Sequence, residues 1–186
     1  MIEVRFHGRG GQGAVTSAEM AALAAIAEGK YAQAFPSFGP ERRGAPVLAF
    51  VRVNDKEPIK NRAGITEPDV VVVLDPSLLG IVDVAAGLRD GGTLIINTRR
   101  SPDEIKSDFG MVQRLATVDA TAMAKEILGV PITNTSMLGA LVKATQIVRL
   151  ESLEEPLRHR FGRLAERNIN VMKKAYEETV IKEGVY

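Results

Sequence analysis

The sequence of 186 residues holds 24 Lys and Arg against 23 Asp and Glu, a formal net charge of +1 that excludes the strongly basic surface typical of nucleic-acid binding. Apolar residues make up 45% and charged residues 25% of the chain, the mixture of a globular protein and not of a disordered one. The chain has no cysteine, so it cannot bind an iron–sulfur cluster through thiolates, form a disulfide or use a thiol nucleophile.

The first elements predicted along the chain are a strand, a glycine-rich turn, a helix and a second strand. Residues 2–7 alternate charged and apolar side chains, the alanine-rich stretch 14–27 has helical spacing and ends before Gly29, and residues 30–35 resume as a strand. The N-terminal residues lack the basic start and apolar run of a signal peptide. The most apolar run, 70–74, is much shorter than the ~20 residues that cross a bilayer. We therefore expect a cytoplasmic protein without membrane contact.

Strands and helices alternate through the middle of the chain. Strands are predicted over residues 47–53, 70–74, 93–97 and 112–118, and helices over residues 78–88, 120–128 and 135–148. Asn54 and Asp55 favour a tight reversal, which predicts an antiparallel excursion around residues 47–60. Gly139 in the last of these helices indicates a close contact. Ser152 and Glu155 have the spacing of a capping box at the start of a charged helical tail that runs to Lys182 with a break near Gly162.

This order of elements predicts a single domain over residues 1–186. Its fold class is α/β: a three-layer α/β/α Rossmann-like domain with a mainly parallel, mixed sheet and a helical C-terminal extension. The unbroken apolar run 70–74 is typical of a central strand that is covered on both faces.

The glycine-rich turn matches the G-x-G-x-x-G pattern of phosphate-binding loops. Its residues are Gly8, Arg9, Gly10, Gly11, Gln12 and Gly13. Glycines let backbone amides approach a ligand, and the N-terminus of the following helix favours a phosphate. Arg9 could add a charge-assisted contact, and Thr16 or Ser17 a hydroxyl contact. A tight turn that touches only protein explains the glycines equally well.

The surroundings of this turn match neither a dinucleotide site nor a Walker motif. A dinucleotide site needs an acidic residue at the end of the second strand, where this sequence has Gln33, Ala34 and Phe35. A Walker motif needs Lys followed by Ser or Thr after the last glycine, where this sequence has Ala14 and Val15. The turn therefore predicts phosphate binding or close backbone approach without specifying NAD or ATP.

A second segment, residues 35–46, combines aromatic rings, adjacent arginines and rigid prolines. A loop of this composition is unfavourable in water and favours contact with a partner, although an ordinary surface loop with solvated arginines is the alternative. Its central residues are Phe38, Gly39, Pro40, Glu41, Arg42, Arg43 and Gly44.

Few other residues suggest chemistry. His7, at the end of the first strand, is better explained as a structural histidine than as a general base, and His159 as a solvated residue. No spacing of His, Cys and carboxylates predicts a metal site. Asp75 and Asn97 follow predicted parallel strands, where open α/β sheets form their ligand crevices, and are second-rank candidates.

Together these motifs resemble the gamma subunit of 2-oxoacid:ferredoxin oxidoreductases. The glycine turn and residues 39–46 carry most of the resemblance, and residues 69–75 and 134–140 are similar to further stretches of that family. The double arginine followed by Gly-Ala-Pro-Val looks more like the pyruvate and branched-chain enzymes than the 2-oxoglutarate enzymes.

The resemblance implies a subunit without turnover of its own, in a complex that converts pyruvate, or a related 2-oxoacid, and coenzyme A into acyl-CoA and CO2 while reducing ferredoxin. Thiamine diphosphate, Mg2+ and [4Fe-4S] clusters are then held by the alpha, beta and delta subunits, and none by this chain. It also implies that the glycine turn and Thr16 contact CoA or its phosphates. Residues 38–44 are implied at a subunit interface, positioning the active site.

Two alternatives remain open from the sequence. One is a free-standing nucleotide-binding oxidoreductase of the NAD type, which the missing acid near residue 34 disfavours. The other is a purely structural assembly module whose glycine turn touches protein and no ligand.

Overall fold

The computed structural model describes residues 1–37 and 44–184, in which seven strands form one mixed sheet. The strands are β1 (Ile2–Arg9), β2 (Tyr31–Pro36), β3 (Pro46–Asn54), β4 (Val70–Val73), β5 (Thr93–Asn97), β6 (Arg114–Val118) and β7 (Val180–Lys182). They lie in the order β2-β3-β1-β4-β5-β6-β7. β1, β4, β5 and β6 are parallel neighbours, whereas β3 is antiparallel to β1 and β2, and β7 to β6. The α/β fold class is confirmed, with a parallel centre and antiparallel pairings at both edges.

Within these two ranges, six α-helices accompany the sheet. They are α1 (Ala14–Ala27), α2 (Pro102–Phe109), α3 (Ala120–Leu128), α4 (Asn134–Thr145), α5 (Glu154–Phe161) and α6 (Ala165–Glu178). In the described part of the chain, no helix has both the length and the apolar character that crossing a bilayer requires.

One face of the sheet is covered by α1, α3, α4 and α6, around an apolar core that includes Val4, Phe6 and Val72. Most alanines of α1 are buried there, and their small side chains let the helix lie close over β2 and β3. A Cβ atom on Gly139 of α4 would lie 2.0 Å from the carbonyl oxygen of Met172 in α6. The close contact predicted at Gly139 is therefore confirmed.

The opposite face is covered only over the parallel strands. Val71, Val73 and Ile96 pack there under Leu78, in a 3-10 turn at Pro76–Gly80, and under Ile105 of α2. Because β4 is buried on both faces, its four valines need no alternation with polar residues, as the sequence indicated.

The helix predicted over residues 78–88 is wrong, because only the 3-10 turn forms there. Arg5 donates from Nη2 to the carbonyl oxygens of Val84 (3.1 Å) and Ala86 (2.6 Å). The Leu88 amide, which would donate to Val84 in a helix, donates to the Ala85 carbonyl oxygen (2.9 Å) instead. Gly87 has φ +71°, and a Cβ atom at this position would lie 2.1 Å from the carbonyl oxygen of Thr66. The backbone at Gly87 therefore packs directly against the backbone at Thr66, and no helix forms there.

The antiparallel excursion is confirmed over residues 47–54 as β3, but it is wrong around residues 56–60, where no strand forms. The Lys56 amide donates to Oδ1 of Asn54 in a local turn. Beyond it, the guanidinium of Arg52 donates to the carbonyl oxygens of Asn61 (3.3 Å) and Ala63 (2.7 Å). These bonds hold the segment to a strand end instead of letting it pair as a strand.

The C-terminal tail is helical as far as Glu178 and is broken at Gly162 (φ +50°), as predicted. The prediction that the helical tail runs to Lys182 is wrong, because Val180–Lys182 form β7 by pairing with β6. The predicted capping box does not form. Residues Leu150–Leu153 make a 3-10 turn, and α5 begins at Glu154 without a side-chain cap. Ser152 therefore lies inside the preceding turn and not at the N-cap.

Candidate functional site

The glycine turn joins the carboxyl end of β1 to the N-terminus of α1. Gly11 and Gly13 have φ values of +93° and +84°, which disfavour any residue with a side chain. A Cβ atom on Gly13 would also lie 2.8 Å from Nδ2 of Asn134, the first residue of α4. Gly13 is thus required both by its backbone conformation and by the helix that packs against it.

Gln12 and Asp75 fasten the turn to the end of the neighbouring strand β4. Gln12 accepts a hydrogen bond from the Arg9 amide (2.7 Å) through Oε1 and donates from Nε2 to Oδ2 of Asp75 (2.8 Å). Asp75 in turn accepts from the amide (2.9 Å) and hydroxyl (2.6 Å) of Ser77. The turn is therefore held in shape without a ligand.

The Arg9 side chain lies across the top of this arrangement. Its Nε donates to Oδ2 of Asp75 (3.1 Å), Nη1 to the carbonyl oxygen of Gly44 (3.0 Å) and Nη2 to Oγ of Ser77 (2.8 Å). The side chain remains 26% exposed, so its outer edge is open to solvent. Burial raises the pKa of Asp75, but hydrogen bonds from Ser77 and Gln12 and the charge of Arg9 outweigh it and hold that pKa below its ordinary value. Asp75 is thus a carboxylate at neutral pH.

The two motifs of the sequence meet at this point. The Gly10 amide donates to the carbonyl oxygen of Ala45 (3.0 Å), and the Gly44 amide to that of Gly10 (3.4 Å). Gly44 therefore lies directly on the glycine turn. The other candidates of the second segment, Phe38, Gly39, Pro40, Glu41, Arg42 and Arg43, lie outside the described residues.

The N-terminus of α1 faces the turn without a side-chain cap. Its first backbone amides have no partner within the helix, as at any helix N-terminus, and no described side chain accepts from them. Ser17 is buried and donates to the carbonyl oxygen of Asn134 (3.2 Å), whereas Thr16 is half-buried and its Oγ1 lies 3.5 Å from Nη2 of Arg160 in α5. The uncapped helix end thus directly follows the glycine turn and carries Thr16, whose hydroxyl lies near Arg160.

His7 is not part of this arrangement as a base. It is 7% exposed, and its Nε2 accepts a hydrogen bond from Nε of Arg5 (3.0 Å), which requires an unprotonated nitrogen. Burial and the charge of Arg5 lower the pKa of His7 to about 4, against the opposite effect of Asp83. The structural interpretation of His7 holds. Among the described residues no group of three or more His, Asp or Glu side chains could hold a metal ion.

Three residues of the site were not predicted as members from sequence patterns: Ser77, Asn134 and Arg160. Asn134 has no spacing signal of its own, because it is brought to Gly13 by the packing of α4 and α1. Ser77 could have been found, since Asp-Pro-Ser at a strand end favours a side-chain to backbone turn. Asn97, a second-rank candidate, is 2% exposed and bonds to the Leu74 carbonyl oxygen (2.8 Å), outside the glycine turn.

Comparisons with known proteins agree over nearly the whole chain. A family model described as pyruvate ferredoxin/flavodoxin oxidoreductase matches residues 3–178. The "pyruvate/ketoisovalerate oxidoreductases common subunit gamma" of Thermococcus litoralis is 58% identical over 185 residues, which cover 98% of this chain and 100% of that protein. The "pyruvate synthase subunit PorC" of Methanocaldococcus jannaschii is 49% identical over 185 residues, covering 99% and 100%. The crystal structure of the pyruvate oxidoreductase subunit PORC of Thermotoga maritima superposes with a TM-score of 0.87 at 38% identity, covering 98% of both chains.

Proposed function

Because the chain belongs to the pyruvate ferredoxin/flavodoxin oxidoreductase family as a gamma subunit, we propose that its complex converts pyruvate, CoA and two oxidised ferredoxins into acetyl-CoA, CO2, two reduced ferredoxins and a proton. The observation that carries the proposal is the 58% identity, over the full length, to a gamma subunit whose name joins pyruvate and ketoisovalerate. A free-standing NAD-type oxidoreductase is not favoured by any of these relatives.

In this proposal the redox chemistry belongs to the alpha, beta and delta subunits, with ferredoxin as acceptor. Thiolates for a cluster are missing from the sequence, and the described residues include no group of three or more His, Asp or Glu side chains that could hold a metal ion. The sequence therefore does not fit an iron–sulfur cluster held by thiolates, and we assign no catalytic step to this chain. Its part is to assemble the complex and to complete the CoA region, as one domain over residues 1–186 in a cytoplasmic enzyme.

The glycine turn is the part of this chain that we assign to CoA. The uncapped N-terminus of α1 supplies backbone amides with positive partial charge, and Gly11, which has no described atom beside it, leaves room for a phosphate to approach them. Arg9 keeps its outer nitrogens at the solvent edge while Asp75 fixes its position. Thr16 offers a hydroxyl in the first turn of α1.

The segment with Phe38, Gly39, Pro40, Glu41, Arg42, Arg43 and Gly44 is assigned to the interface with the thiamine-bearing subunits. The support is chemical: aromatic and arginine side chains are enriched at the centres of protein interfaces. Gly44 is held by the guanidinium of Arg9, so a ligand on the glycine turn and a partner on this segment would bind side by side.

The function is tested by affinity purification of this chain from its own cells, followed by viologen reduction assays. We expect co-purifying chains that bear thiamine and clusters, and CoA-dependent reduction that is faster with pyruvate than with 2-oxoisovalerate or 2-oxoglutarate. A chain that purifies alone and inactive would contradict the proposed assembly. A complex that prefers another 2-oxoacid would contradict the proposed substrate.

The site is tested in the same reconstituted complex. Arg9→Ala is expected to raise the Michaelis constant for CoA about tenfold, the loss of one charge-assisted contact, with little change in assembly. Arg42→Ala with Arg43→Ala is expected to weaken assembly or activity instead. Arg163→Ala, at an exposed position, is the matched control. An unchanged constant for CoA in Arg9→Ala would favour the purely structural role of the turn.

A further inference from the structure

The carboxyl edge of the parallel strands contains two crevices, not one. A crevice opens wherever the connections after two neighbouring parallel strands leave toward opposite faces of the sheet. β1 is followed by α1 on one face and β4 by the 3-10 turn on the other. β5 and β6 repeat this arrangement. The helix after β5, α2, packs on the same face as the 3-10 turn, whereas the helix after β6, α3, packs on the same face as α1.

The crevice between β1 and β4 contains the glycine turn, and the protein's own side chains already pair with its carboxylate. Arg9 and Gln12 both reach across it to Asp75, at 3.1 Å and 2.8 Å. Its remaining donors are the backbone amides described above.

The crevice between β5 and β6 is open. It is a cavity of about 480 Å³. It is lined by Pro76, by Asn97, Thr98, Arg99 and Arg100 after β5, and by Asp119, Thr121, Ala122 and Lys125 at the start of α3. Pro76 forms the wall toward the glycine turn, because it directly follows Asp75.

Two cations in this crevice have no partner among the described residues. Arg99 and Lys125 are exposed, and no hydrogen bond or ion pair ties either side chain to the rest of residues 1–37 and 44–184. Arg100, by contrast, is paired with Asp108. The single carboxylate on the wall, Asp119, already accepts from the Ala122 amide (2.9 Å). Positive charge is therefore in excess.

Two threonine hydroxyl groups in the crevice accept hydrogen bonds from the protein and are left with a proton to donate. Oγ1 of Thr98 accepts from the Arg100 amide (3.2 Å), and Oγ1 of Thr121 accepts from Nδ2 of Asn97 (2.9 Å). Each hydroxyl keeps its own proton to donate. The helix end contributes little, because the amides of Thr121 and Ala122 already donate to Asn97 and Asp119. Side chains, not the helix N-terminus, make the site.

We propose that this crevice binds a diphosphate group, with Arg99 and Lys125 on the charged oxygens and the hydroxyls of Thr98 and Thr121 donating between them. Two cations on different walls, one after β5 and one on α3, suit two phosphoryl groups better than one small carboxylate. The group could come from inorganic diphosphate or from a nucleotide-type ligand. The site is separate from the glycine turn assigned to CoA above.

The test is a titration of the full-length chain with sodium pyrophosphate, followed by calorimetry and by amide shifts in nitrogen-15 NMR spectra. We expect saturable binding that weakens with added salt, with shifts at residues 98–100 and 121–125. Arg99→Ala with Lys125→Ala should weaken binding about tenfold, and Arg99→Lys should restore part of it. Lys56→Ala with Arg163→Ala, two exposed cations elsewhere, should change nothing.

Other outcomes overturn the proposal. One is the absence of saturable binding, and another is an equal loss of affinity in the control pair. A third is amide shifts at residues 10–14 with a loss of affinity only in Arg9→Ala, which would place the anion on the glycine turn. ADP and coenzyme A, titrated in parallel, distinguish the sources: tighter binding than pyrophosphate identifies a nucleotide-type ligand, and equal or weaker binding identifies the inorganic group. If a variant fails to fold, the amide shifts of the unmodified chain still show which residues bind the anion.

Discussion

At the scale of single residues, a buried histidine on β1 makes the fold sensitive to acid. The pKa of His7 is lowered to about 4 by burial and by Arg5, whereas the unfolded chain binds a proton near pH 6.5. Between these values the unfolded state binds more protons, so stability falls as the pH falls from 6.5 to 4, by about 3 kcal/mol in total. Urea unfolding at several pH values should show this slope.

The variant His7→Gln should flatten the slope, since the Gln carbonyl can still accept from Arg5 but does not titrate in this range. His159→Gln, at an exposed position of α5, is the control and should keep it. If both variants retain the wild-type slope, His7 is not its source.

Two glycines of the turn have nearly the same backbone conformation but different surroundings, which makes them a matched pair. Gly11→Ala should cost only the left-handed conformation, about 1–2 kcal/mol, because no atom of the described residues lies within 4 Å of its new Cβ atom. Gly13→Ala should cost about 1–3 kcal/mol more, because that atom would meet Asn134. Chemical denaturation measures both. Equal losses would show that Asn134 moves aside freely.

The glycine pattern thus predicted the conformation of the turn but not the residues that bind its side chains. The glycine pattern indicated a strand-to-helix turn with close backbone approach, and the structure has it. That Arg9 would be held by Asp75, Ser77 and Gly44 was not predictable, because each partner comes from a different segment. Local patterns carry no information on which side chain an arginine reaches across a sheet.

At the scale of elements, the contact between α4 and α6 depends on Gly139, which has no side chain. In Gly139→Ala the Cβ atom would lie 2.0 Å from the Met172 carbonyl oxygen, so the helices must move apart. The expected loss is about 2 kcal/mol, after the better helix propensity of alanine is allowed for. Gly64→Ala, with open space around the new atom, is the control for thermal unfolding. A loss as small as that of the control would mean that the helices separate without cost.

Most elements with local signals were predicted correctly, with the exceptions of α2 and residues 78–88, and elements made by distant contacts were not predicted. α1 and α3 match their predicted ranges because alanine spacing, Asp119 and Gly129 mark them locally. The missed α2 also had a local signal, the capping box of Ser101 and Glu104. Residues 78–88 have helical spacing, yet beyond the 3-10 turn they form a loop in which Arg5 bonds to two carbonyl groups. Short β7 has no pattern of its own and exists by pairing with β6.

At the scale of the whole molecule, β7 closes one end of the sheet. Ile181 packs against the main core, while Lys182 pairs with Asp103 (3.3 Å) and Glu183 with Arg114 (3.0 Å). Truncation after Thr179 should lower the melting temperature and promote aggregation, because it leaves the edge of β6 unpaired. Truncation after Gly184 is the control. Equal melting and solubility of the two chains would contradict this role for β7.

The resemblance identified the family, but it did not indicate the crevice between β5 and β6. Two motifs far apart in the chain identified a gamma subunit, and the relatives confirm it. The repeated reversal of connections at β5 and β6 became visible only with the strand order. No motif in the sequence marks it, because it depends on which face each helix covers.

The strand order also has a consequence for synthesis on the ribosome. β1 emerges first and lies inside the sheet, β2 and β3 follow on one side, and β4 to β7 then extend the other side in the order of translation. A growing chain can therefore add most strands to an edge that already exists. Helix α4, which covers β5 and β6, begins only at Asn134, and α6 comes later still. We expect the nascent chain to expose the apolar face of those strands until its last third is made, and chaperones to bind it during that interval.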